Sequence, residues 1–440
     1  MKKIKKPSSF NSPLLQVALD FVDLHRAIKI VQEIKDAGVD IIEIGTPLIK
    51  SEGIKAISEI KKILPPNIKI LADMKTMDVG RTEVEMAAKA GAHIVGILGV
   101  ANNETIKEAI EAANNYGCEI IIDMIEVKNL LERTKDVLKF NPNYIGLHIP
   151  IDEQMKGNIN FDFIKEIKKI SPIPISVAGG INSENVKDVV EAGADIVVVG
   201  GAIIKSQDAK LATKQIKKAM LTKTRIKTDL YKRAATIEEV KKLLHKVSTA
   251  NISDALHRGK CLEDLKPITE NLKIVGPAVT VRTYPGDWSK PVEAIDLAKE
   301  GDVIVIDAGG VPPAVWGELA TYSAIEKKLS GVIIWGAIRD VFEIKKLKFP
   351  AFARIISPQA GEPKGFGEIN VPINISGIKI FPGDWIIADD DGVVVVPKEK
   401  LVETANRAMD VLEKENRIRK EIIEGSTLSK VQNLLRWEKK

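Results

Sequence analysis

Six charged or titratable residues stand at or just after short apolar runs in the first half of this 440-residue chain. They are Asp20, Glu43, Asp73, Lys75, Asp78 and His148. Two carboxylates brought side by side, such as Glu43 and Asp73, suit a hard divalent cation such as Mg2+. A lysine and a further aspartate beside them could stabilise an enediolate and transfer its proton. Taken alone, Asp-x-Lys-x-x-Asp also fits a solvated loop, and a single histidine also fits a protein core.

Two glycine pairs follow later apolar runs, namely Gly179 with Gly180 and Gly200 with Gly201. Glycine lets backbone N–H groups approach an anion closely, and loops of this kind commonly hold phosphate. The occurrence of pairs at two successive strand ends therefore indicates a phosphate site, although each pair alone also fits an ordinary turn.

The elements that must position these residues are short apolar runs alternating with amphipathic stretches, up to about Met220. Nearly continuous apolar strands separated by helices are typical of parallel strands buried on both faces. The runs are Leu14–Leu19, Ile41–Ile44, Ile68–Ala72, Ile94–Leu98, Ile120–Ile125, Tyr144–Ile149, Ile175–Ala178 and Ile196–Val199. We therefore expect an α/β protein that begins with a (β/α)8 barrel, with its reacting groups at the C-terminal strand ends.

A polar, basic stretch without glycine, residues 221–234, fits either a linker or the extended end of a helix. We interpret it as a linker between a barrel over 1–220 and a second domain over 235–440. Less regular strands follow it, and the segment from Lys398 onward has helical spacing. This pattern predicts a mixed α/β domain that ends in helices. The predicted strands include Val303–Asp307, Val332–Trp335 and Gly392–Val396.

The second domain also carries candidate binding residues. Gly317, Glu318, Leu319 and Ala320 could open a helix, and Arg339 and Asp340 follow a strand. Free N–H groups and a guanidinium can bind a carboxylate, and acidic side chains could hold a cation through water. An Arg–Asp pair with a purely structural role fits the same residues.

Charge and composition exclude several classes of protein. There are 65 Lys and Arg against 60 Asp and Glu, a net charge of +5 without obvious clustering. We expect no nucleic-acid or membrane partner and a soluble, cytoplasmic protein, because neither an apolar signal segment nor a spanning run occurs. Cys118 and Cys261 are too few for a disulfide framework and are expected to be buried.

The barrel region resembles the 3-hexulose-6-phosphate synthase family of the orotidine-5'-phosphate decarboxylase superfamily. The segments that carry the resemblance are QVALD (16–20), IIEIGTPLIKSEG (41–53), LADMKTMDVG (71–80), GILGVA (96–101), YIGLHIPIDEQ (144–154), VAGGI (177–181) and VVVGGAII (197–204). The resemblance implies a Mg2+-dependent aldol reaction between formaldehyde and ribulose 5-phosphate. It also assigns roles: Asp20 contacts substrate, Glu43 and Asp73 hold the metal, Lys75 and Asp78 stabilise the enediolate, and His148 is a proton-transfer candidate.

A related family, the 3-keto-gulonate-6-phosphate decarboxylases, shares this array and is the alternative. It carries arginines at two positions where this chain has Ile151 and Gly201. Both departures favour the synthase.

Residues of roughly 240–425 resemble the family of the regulator of ribonuclease activity A and the class II 4-hydroxy-4-methyl-2-oxoglutarate aldolases. The segments are NISDAL (251–256), GPAVTV (276–281), GDVIVIDAGG (301–310), AVWGELATYSA (314–324), GVIIWGAIRD (331–340) and PGDWIIADDDGVVVVP (382–397). The resemblance places a 2-oxo acid on Arg339 and the 317–320 amides, and Mg2+ or Mn2+ on Asp340. The alternative is a non-catalytic module that oligomerises the chain or binds a protein. Either family implies a homo-oligomer.

Overall fold

The computed structural model describes residues 10, 12–157 and 160–432, and the chain divides into two compact units. We call them the barrel unit and the sheet unit. The barrel unit comprises the described residues within Met1–Gln154, Asn158–Arg233 and Glu413–Lys440, and the sheet unit comprises Met155–Gly157 and Ala234–Leu412.

The described residues of the barrel unit form eight parallel strands that close into a barrel, so the predicted fold class is confirmed. The strands are β1 (Leu14–Leu19), β2 (Ile41–Ile44), β3 (Lys69–Thr76), β4 (Ile94–Leu98), β5 (Glu119–Asp123), β6 (Tyr144–His148), β7 (Ile175–Ala178) and β8 (Ile196–Val199). The helices are α1 (Leu24–Ile34), α2 (Thr46–Glu52), α3 (Lys55–Lys61), α4 (Gly80–Ala90), α5 (Asn103–Tyr116), α6 (Leu130–Leu138), α7 (Ile151–Met155), α8 (Asp162–Ile170), α9 (Val186–Ala192), α10 (Gly201–Ile204) and α11 (Ala209–Thr222).

The barrel interior changes from apolar to polar along the strands. One buried cluster inside the barrel consists of Ile41, Leu71, Ile94, Ile121, Tyr144 and Ile196. Side chains two residues apart on a strand point to the same face. Glu43 follows Ile41 by two residues, and Asp123 follows Ile121 in the same way. The apolar layer therefore closes one end of the barrel, and the polar layer faces the mouth at the C-terminal strand ends.

Strand β3 runs further than its apolar residues predict. It continues to Thr76, and its pairing with β4 shifts register between Ala72 and Thr76. Lys75 in this irregular stretch has a positive φ of 47°. A bulge of this kind re-aims the side chains around it and is common beside active sites.

The sheet unit is built on a mixed sheet in which four central strands run parallel. Its strands are β9 (Lys266–Pro267), β10 (Ile274–Arg282), β11 (Val303–Asp307), β12 (Ala314–Trp316), β13 (Gly331–Ile338), β14 (Ala351–Ile356), β15 (Glu368–Ile369), β16 (Ile373–Ile375), β17 (Ile378–Ile380), β18 (Trp385–Asp389) and β19 (Gly392–Val396). The main order is β19-β18-β10-β11-β13-β14-β9, with β12 beside β13 and β15 beside β10, while β16 and β17 form a separate hairpin.

Helices cover this sheet and end the chain. Those of the sheet unit are α12 (Ile237–Lys246), α13 (Thr249–Ala255), α14 (Ser289–Leu297), α15 (Glu318–Glu326) and α16 (Val341–Leu347). Helix α17 (Leu401–Ile423) begins in the sheet unit, and its last residues belong with α18 (Leu428–Val431) to the barrel unit. The mixed α/β architecture is thus confirmed, and helices follow Lys398 as expected. Residues 433–440 of that predicted helical stretch lie outside the described residues.

Two further expectations concern cysteines and membrane spans. Cys118 is buried, but the prediction for Cys261 is wrong, because this residue is exposed beside Val394 at a sheet bridge.

Across the described part of the chain, no helix combines the length and apolarity needed to cross a bilayer.

Candidate active sites

Lys75 lies at the centre of the polar layer in the barrel mouth. Its ammonium donates to Asp123 Oδ2 at 3.0 Å and lies 3.1 Å from Asp73 Oδ2. Burial opposes the charge of this lysine, but the two carboxylates outweigh that effect and raise its pKa further above the ordinary value. Lys75 therefore stays a cation at neutral pH and offers a fixed positive charge to an anion in the mouth.

Asp123 is a site residue that the sequence interpretation missed. It ends β5, and its carboxylate lies between Lys75 and the imidazole of His148, whose Nδ1 is 4.0 Å from Asp123 Oδ2. Burial disfavours its charge, yet the interaction with His148 and the positive charge of Lys75 prevail and lower the pKa of Asp123 to about 2. The sequence signal was present, since Asp123 follows an inward apolar residue by two positions, as Glu43 and Asp73 do.

Two further carboxyl groups, Glu43 and Asp20, interact with Asp73 through their charges. Glu43, on β2, accepts a hydrogen bond from Gln16 Nε2 at 2.5 Å. Desolvation, followed by the negative charges of Asp73 and Asp20, raises the pKa of Glu43 well above its ordinary range. Asp20 is itself open to solvent, but desolvation by the surrounding protein and the charge of Asp73 raise its pKa as well. The site thus concentrates more negative charge than Lys75 alone balances.

The neighbours of these carboxylates hold them in place. The Thr46 hydroxyl, at the start of α2, lies 2.7 Å from Asp73 Oδ2 and 2.8 Å from the Asp73 carbonyl oxygen. Gly45 leaves room for Asp20, because a Cβ at position 45 would lie 2.4 Å from Asp20 Oδ1. The start of α2 therefore binds one carboxylate, Asp73, and leaves space for the other, Asp20.

Asp78 is placed differently from the other predicted barrel residues. It is exposed on the loop between β3 and α4, and its carboxylate accepts the N–H of Val79 at 2.8 Å. This contact does not connect Asp78 to Lys75 or Asp123. Its role at the enediolate thus stays a prediction.

The two glycine pairs lie at the ends of β7 and β8. Gly179 and Gly180 have positive φ values of 112° and 68°, and a Cβ on Gly179 would lie 2.7 Å from the Ile149 carbonyl oxygen. Gly200 borders Asp20, since its Cβ would lie 3.4 Å from Asp20 Oδ2. The loops that follow β7 and β8 are therefore closely packed, and they lie at the barrel mouth together with the carboxylates.

A second candidate site lies in the sheet unit, where β12 and β13 run parallel and end side by side. The 317–320 turn after β12 and the Arg339-Asp340 pair after β13 line a cavity of about 230 Å3. Asp340 Oδ2 accepts the N–H of Glu318 at 3.1 Å and lies 3.4 Å from Arg339 Nε. Gly317 packs closely against this carboxylate, because a Cβ added at position 317 would lie 2.5 Å from Asp340 Oδ2.

The two sites differ in how well they suit a cation. In the part of the chain that the structure describes, no three His, Cys, Asp or Glu side chains are grouped to hold a metal ion. Mg2+ commonly takes one or two carboxylates and completes its shell with water and substrate. The crowded Glu43 and Asp73 fit that requirement. At the second site, Asp340 Oδ2 is already in contact with the Glu318 N–H and with Arg339 Nε. A cation on Asp340 therefore stays a prediction.

Two family models match separate regions of the chain, one in the barrel unit and one in the sheet unit. Residues 13–216 match the model of the orotidine 5'-phosphate decarboxylase/HUMPS family. A 3-hexulose-6-phosphate synthase of Staphylococcus epidermidis is 39% identical over 207 residues, which cover 47% of this chain and 98% of that protein. A 3-hexulose-6-phosphate synthase of Bacillus subtilis is 38% identical over 202 residues, which cover 46% of this chain and 95% of that protein.

A solved structure of 3-hexulose-6-phosphate synthase from Salmonella typhimurium is 36% identical to this chain. It covers 48% of this chain and 99% of its own, with a TM-score of 0.46. Residues 249–395 match the Aldolase/RraA family model. The chain therefore belongs to the orotidine 5'-phosphate decarboxylase/HUMPS family through its barrel, to which an RraA-like domain is fused.

Proposed function

We propose that the barrel interconverts D-arabino-hex-3-ulose 6-phosphate with D-ribulose 5-phosphate and formaldehyde. The observation that carries the proposal is Lys75, held as a cation between Asp73 and Asp123 at the barrel mouth. Relatives named 3-hexulose-6-phosphate synthase that align over nearly their whole length support the substrate class.

In the cleavage direction, the bond between the hydroxymethyl carbon and its neighbour breaks. The hydroxyl proton leaves, formaldehyde departs, and the electron pair enters an enediolate that takes up one proton to give the ketose. Lys75 offers the positive charge that stabilises the enediolate oxygen. His148 and Asp20 border the same space and are the candidates to move and accept protons.

Mg2+ is the cation that we propose for Glu43 and Asp73. The support is the setting of Glu43, whose pKa is raised first by burial and then by the negative charges of Asp73 and Asp20, a repulsion that a bound cation would relieve. When bound, Mg2+ supplies Lewis acidity to the substrate oxygens. Thr46 would keep Asp73 oriented, and Gln16 would do so for Glu43.

The glycine loops are proposed to bind the substrate phosphate through the backbone of Gly179, Gly180, Gly200 and Gly201. Their position at the ends of β7 and β8 supports this. The decarboxylase alternative requires arginines at positions 151 and 201, which are isoleucine and glycine here. The synthase is therefore the activity that we propose.

The test is release of formaldehyde from hexulose 6-phosphate by the full chain, with and without Mg2+. We expect release that a chelator stops and that Asp73→Asn abolishes. Asp136→Asn is the matched control, because Asp136 is an exposed aspartate paired with Lys139 on α6. Full activity in Asp73→Asn, or in the presence of the chelator, would contradict the assignment.

For the sheet unit, the cavity with Arg339 and the 317–320 amides favours a 2-oxo acid lyase or oxaloacetate decarboxylase. In the full chain, pyruvate formation from oxaloacetate should disappear in Arg339→Ala. It should persist in Arg282→Ala, which alters an exposed arginine on β10. No turnover of any oxo acid, together with an intact homo-oligomer in size-exclusion chromatography, would support the non-catalytic module instead.

A further inference from the structure

The segment after the last barrel helix, residues 224–233, packs against the loop that follows β7. Ile226 and Ser183 exchange two hydrogen bonds, of 3.0 Å through the Ile226 N–H and 2.8 Å through the Ser183 hydroxyl. The Thr228 N–H donates to Glu184 Oε1 at 2.7 Å. The segment is thus attached to the loop by several directed bonds and does not act as a free spacer.

These contacts lead directly to the first glycine pair. Asn182 Nδ2 donates to the Tyr231 carbonyl oxygen at 3.4 Å. The Asn182 N–H donates to Asn185 Oδ1 at 2.8 Å, and Asn185 Nδ2 donates to the Gly180 carbonyl oxygen at 2.8 Å. The backbone of the segment therefore restrains the loop that presents Gly180.

Tyr231 connects the same segment to the second glycine pair. Its ring is 7% exposed and lies against Gly201, where an added Cβ would be 2.1 Å from a ring carbon. The ring is held from its other sides, with the Arg233 guanidinium 4.0 Å and the Lys205 ammonium 5.5 Å from its centroid. A bulky, fixed ring therefore defines where the backbone at Gly201 can lie.

This arrangement is not part of the matched family region, which ends at residue 216. We propose that residues 224–233 are a positioning element for the phosphate loops of the barrel, and that Tyr231 sets the position of Gly201. The inference rests on the proposed function for the identity of the substrate. It adds that phosphate affinity in this chain depends on residues beyond the barrel helices.

The first test measures binding of inorganic phosphate to the full chain by titration calorimetry. Tyr231→Ala should weaken binding by about tenfold or more, as expected if roughly one hydrogen bond to a charged group is lost. Tyr231→Phe keeps the ring and removes only a 3.4 Å contact with Gln154, so it should bind as the unmodified chain does. Tyr116→Ala is the matched control. The Lys89 ammonium lies 5.5 Å from the centroid of the Tyr116 ring, but this ring is on the surface at the end of α5.

Steady-state kinetics give a second readout. Tyr231→Ala should raise KM for the sugar phosphate while kcat stays within about twofold, because the reacting end of the substrate is bound elsewhere. Tyr231→Leu serves the same purpose if the alanine variant does not fold. A Tyr231→Ala or Tyr231→Leu variant that is folded and binds phosphate like the unmodified chain would overturn the inference, as would an equal loss in Tyr231→Phe.

A double-mutant cycle checks the contact itself. Gly201→Ala introduces a methyl group into the space of the ring, so its effect on phosphate affinity should change when Tyr231 is also alanine. Additive effects would contradict the inference. If the unmodified chain released no formaldehyde while the phosphate results held, the proposed reaction would be wrong and the positioning role would stand.

Discussion

Replacing Asp123 by asparagine tests the charge arrangement at the centre of the barrel. The change keeps the shape of the side chain but removes the negative charge that faces Lys75 at 3.0 Å and His148 at 4.0 Å. Asp123 is only 14% exposed, so solvent screens these interactions little. We therefore expect a loss of folding stability that depends on pH.

The magnitude follows from the pKa of this carboxyl. A decrease from 3.8 to about 2 corresponds to roughly 2 kcal/mol of unfolding free energy, at about 1.36 kcal/mol per unit. Because the folded-state pKa is depressed, this stabilisation is fully present above the unfolded-state value near 3.8. It is lost as the pH falls through about 2, with about half remaining near pH 3. Asp123→Asn should therefore lower stability by about 2 kcal/mol at pH 7 and by about half as much near pH 3.

Cys118 provides a reporter for the barrel unit, since it is 2% exposed. In a Cys261→Ser background it is the sole thiol of the chain. After equilibration in urea, a short pulse of a dithiodipyridine probe, which labels thiols in acid as well as at neutral pH, measures the unfolded fraction. Asp136→Asn is the matched control, because the Asp136 side chain on α6 is 41% exposed, and it should leave the midpoint unchanged.

Two results would refute the reasoning. One is an Asp123→Asn midpoint at pH 7 that equals that of the control. The other is a loss of stability that is the same near pH 3 as at pH 7, because a charge-based effect must decrease as the carboxyl becomes protonated.

Two further predictions concern Thr46 beside the site and a buried arginine of the barrel unit, Arg417. Thr46→Val removes the hydroxyl that is hydrogen-bonded to Asp73. Because this hydroxyl orients a proposed metal ligand, the Mg2+ concentration for half-maximal formaldehyde release should rise by about tenfold or more. An unchanged Mg2+ titration would contradict this prediction. Arg417 is 2% exposed, with Glu33 at 2.5 Å and Glu421 at 3.0 Å. Arg417→Met should cost about 3–5 kcal/mol of unfolding free energy in the same thiol-pulse assay, because it removes the charge partner of Glu33 and leaves buried Glu421 with the longer, 3.4 Å contact to Arg26. A loss below about 1 kcal/mol would refute this prediction.

The sequence was most informative about the barrel strands. Strands such as Leu14–Leu19 and Ile196–Val199 lie where the apolar runs predicted them. Parallel barrel strands are buried on both faces, so they appear as continuous apolar runs whose limits coincide with the strand ends. The placement of Asp20, Glu43 and Asp73 at the mouth follows from those same limits.

Contacts that depend on local backbone geometry were not predictable in this way. The bulge at Lys75 extends β3 and brings the lysine to Asp123, which lies 48 residues away along the chain. The residue spacing alone does not reveal a register shift, because the shift depends on how β3 pairs with β4. Asp123 was accordingly missed even though its position after Ile121 repeats the pattern of the other carboxylates.

The sequence by itself determined the two families, the barrel, the mixed sheet domain and the residues that can act at the strand ends. These properties are local, because they depend on apolar periodicity and on motifs within single strand–loop units. The tertiary structure alone decided which carboxylates share Lys75 and that Tyr231 lies against Gly201. Such pairings depend on how distant segments pack, and a stretch that is polar in sequence, such as residues 224–233, can bury one aromatic ring at a functional loop.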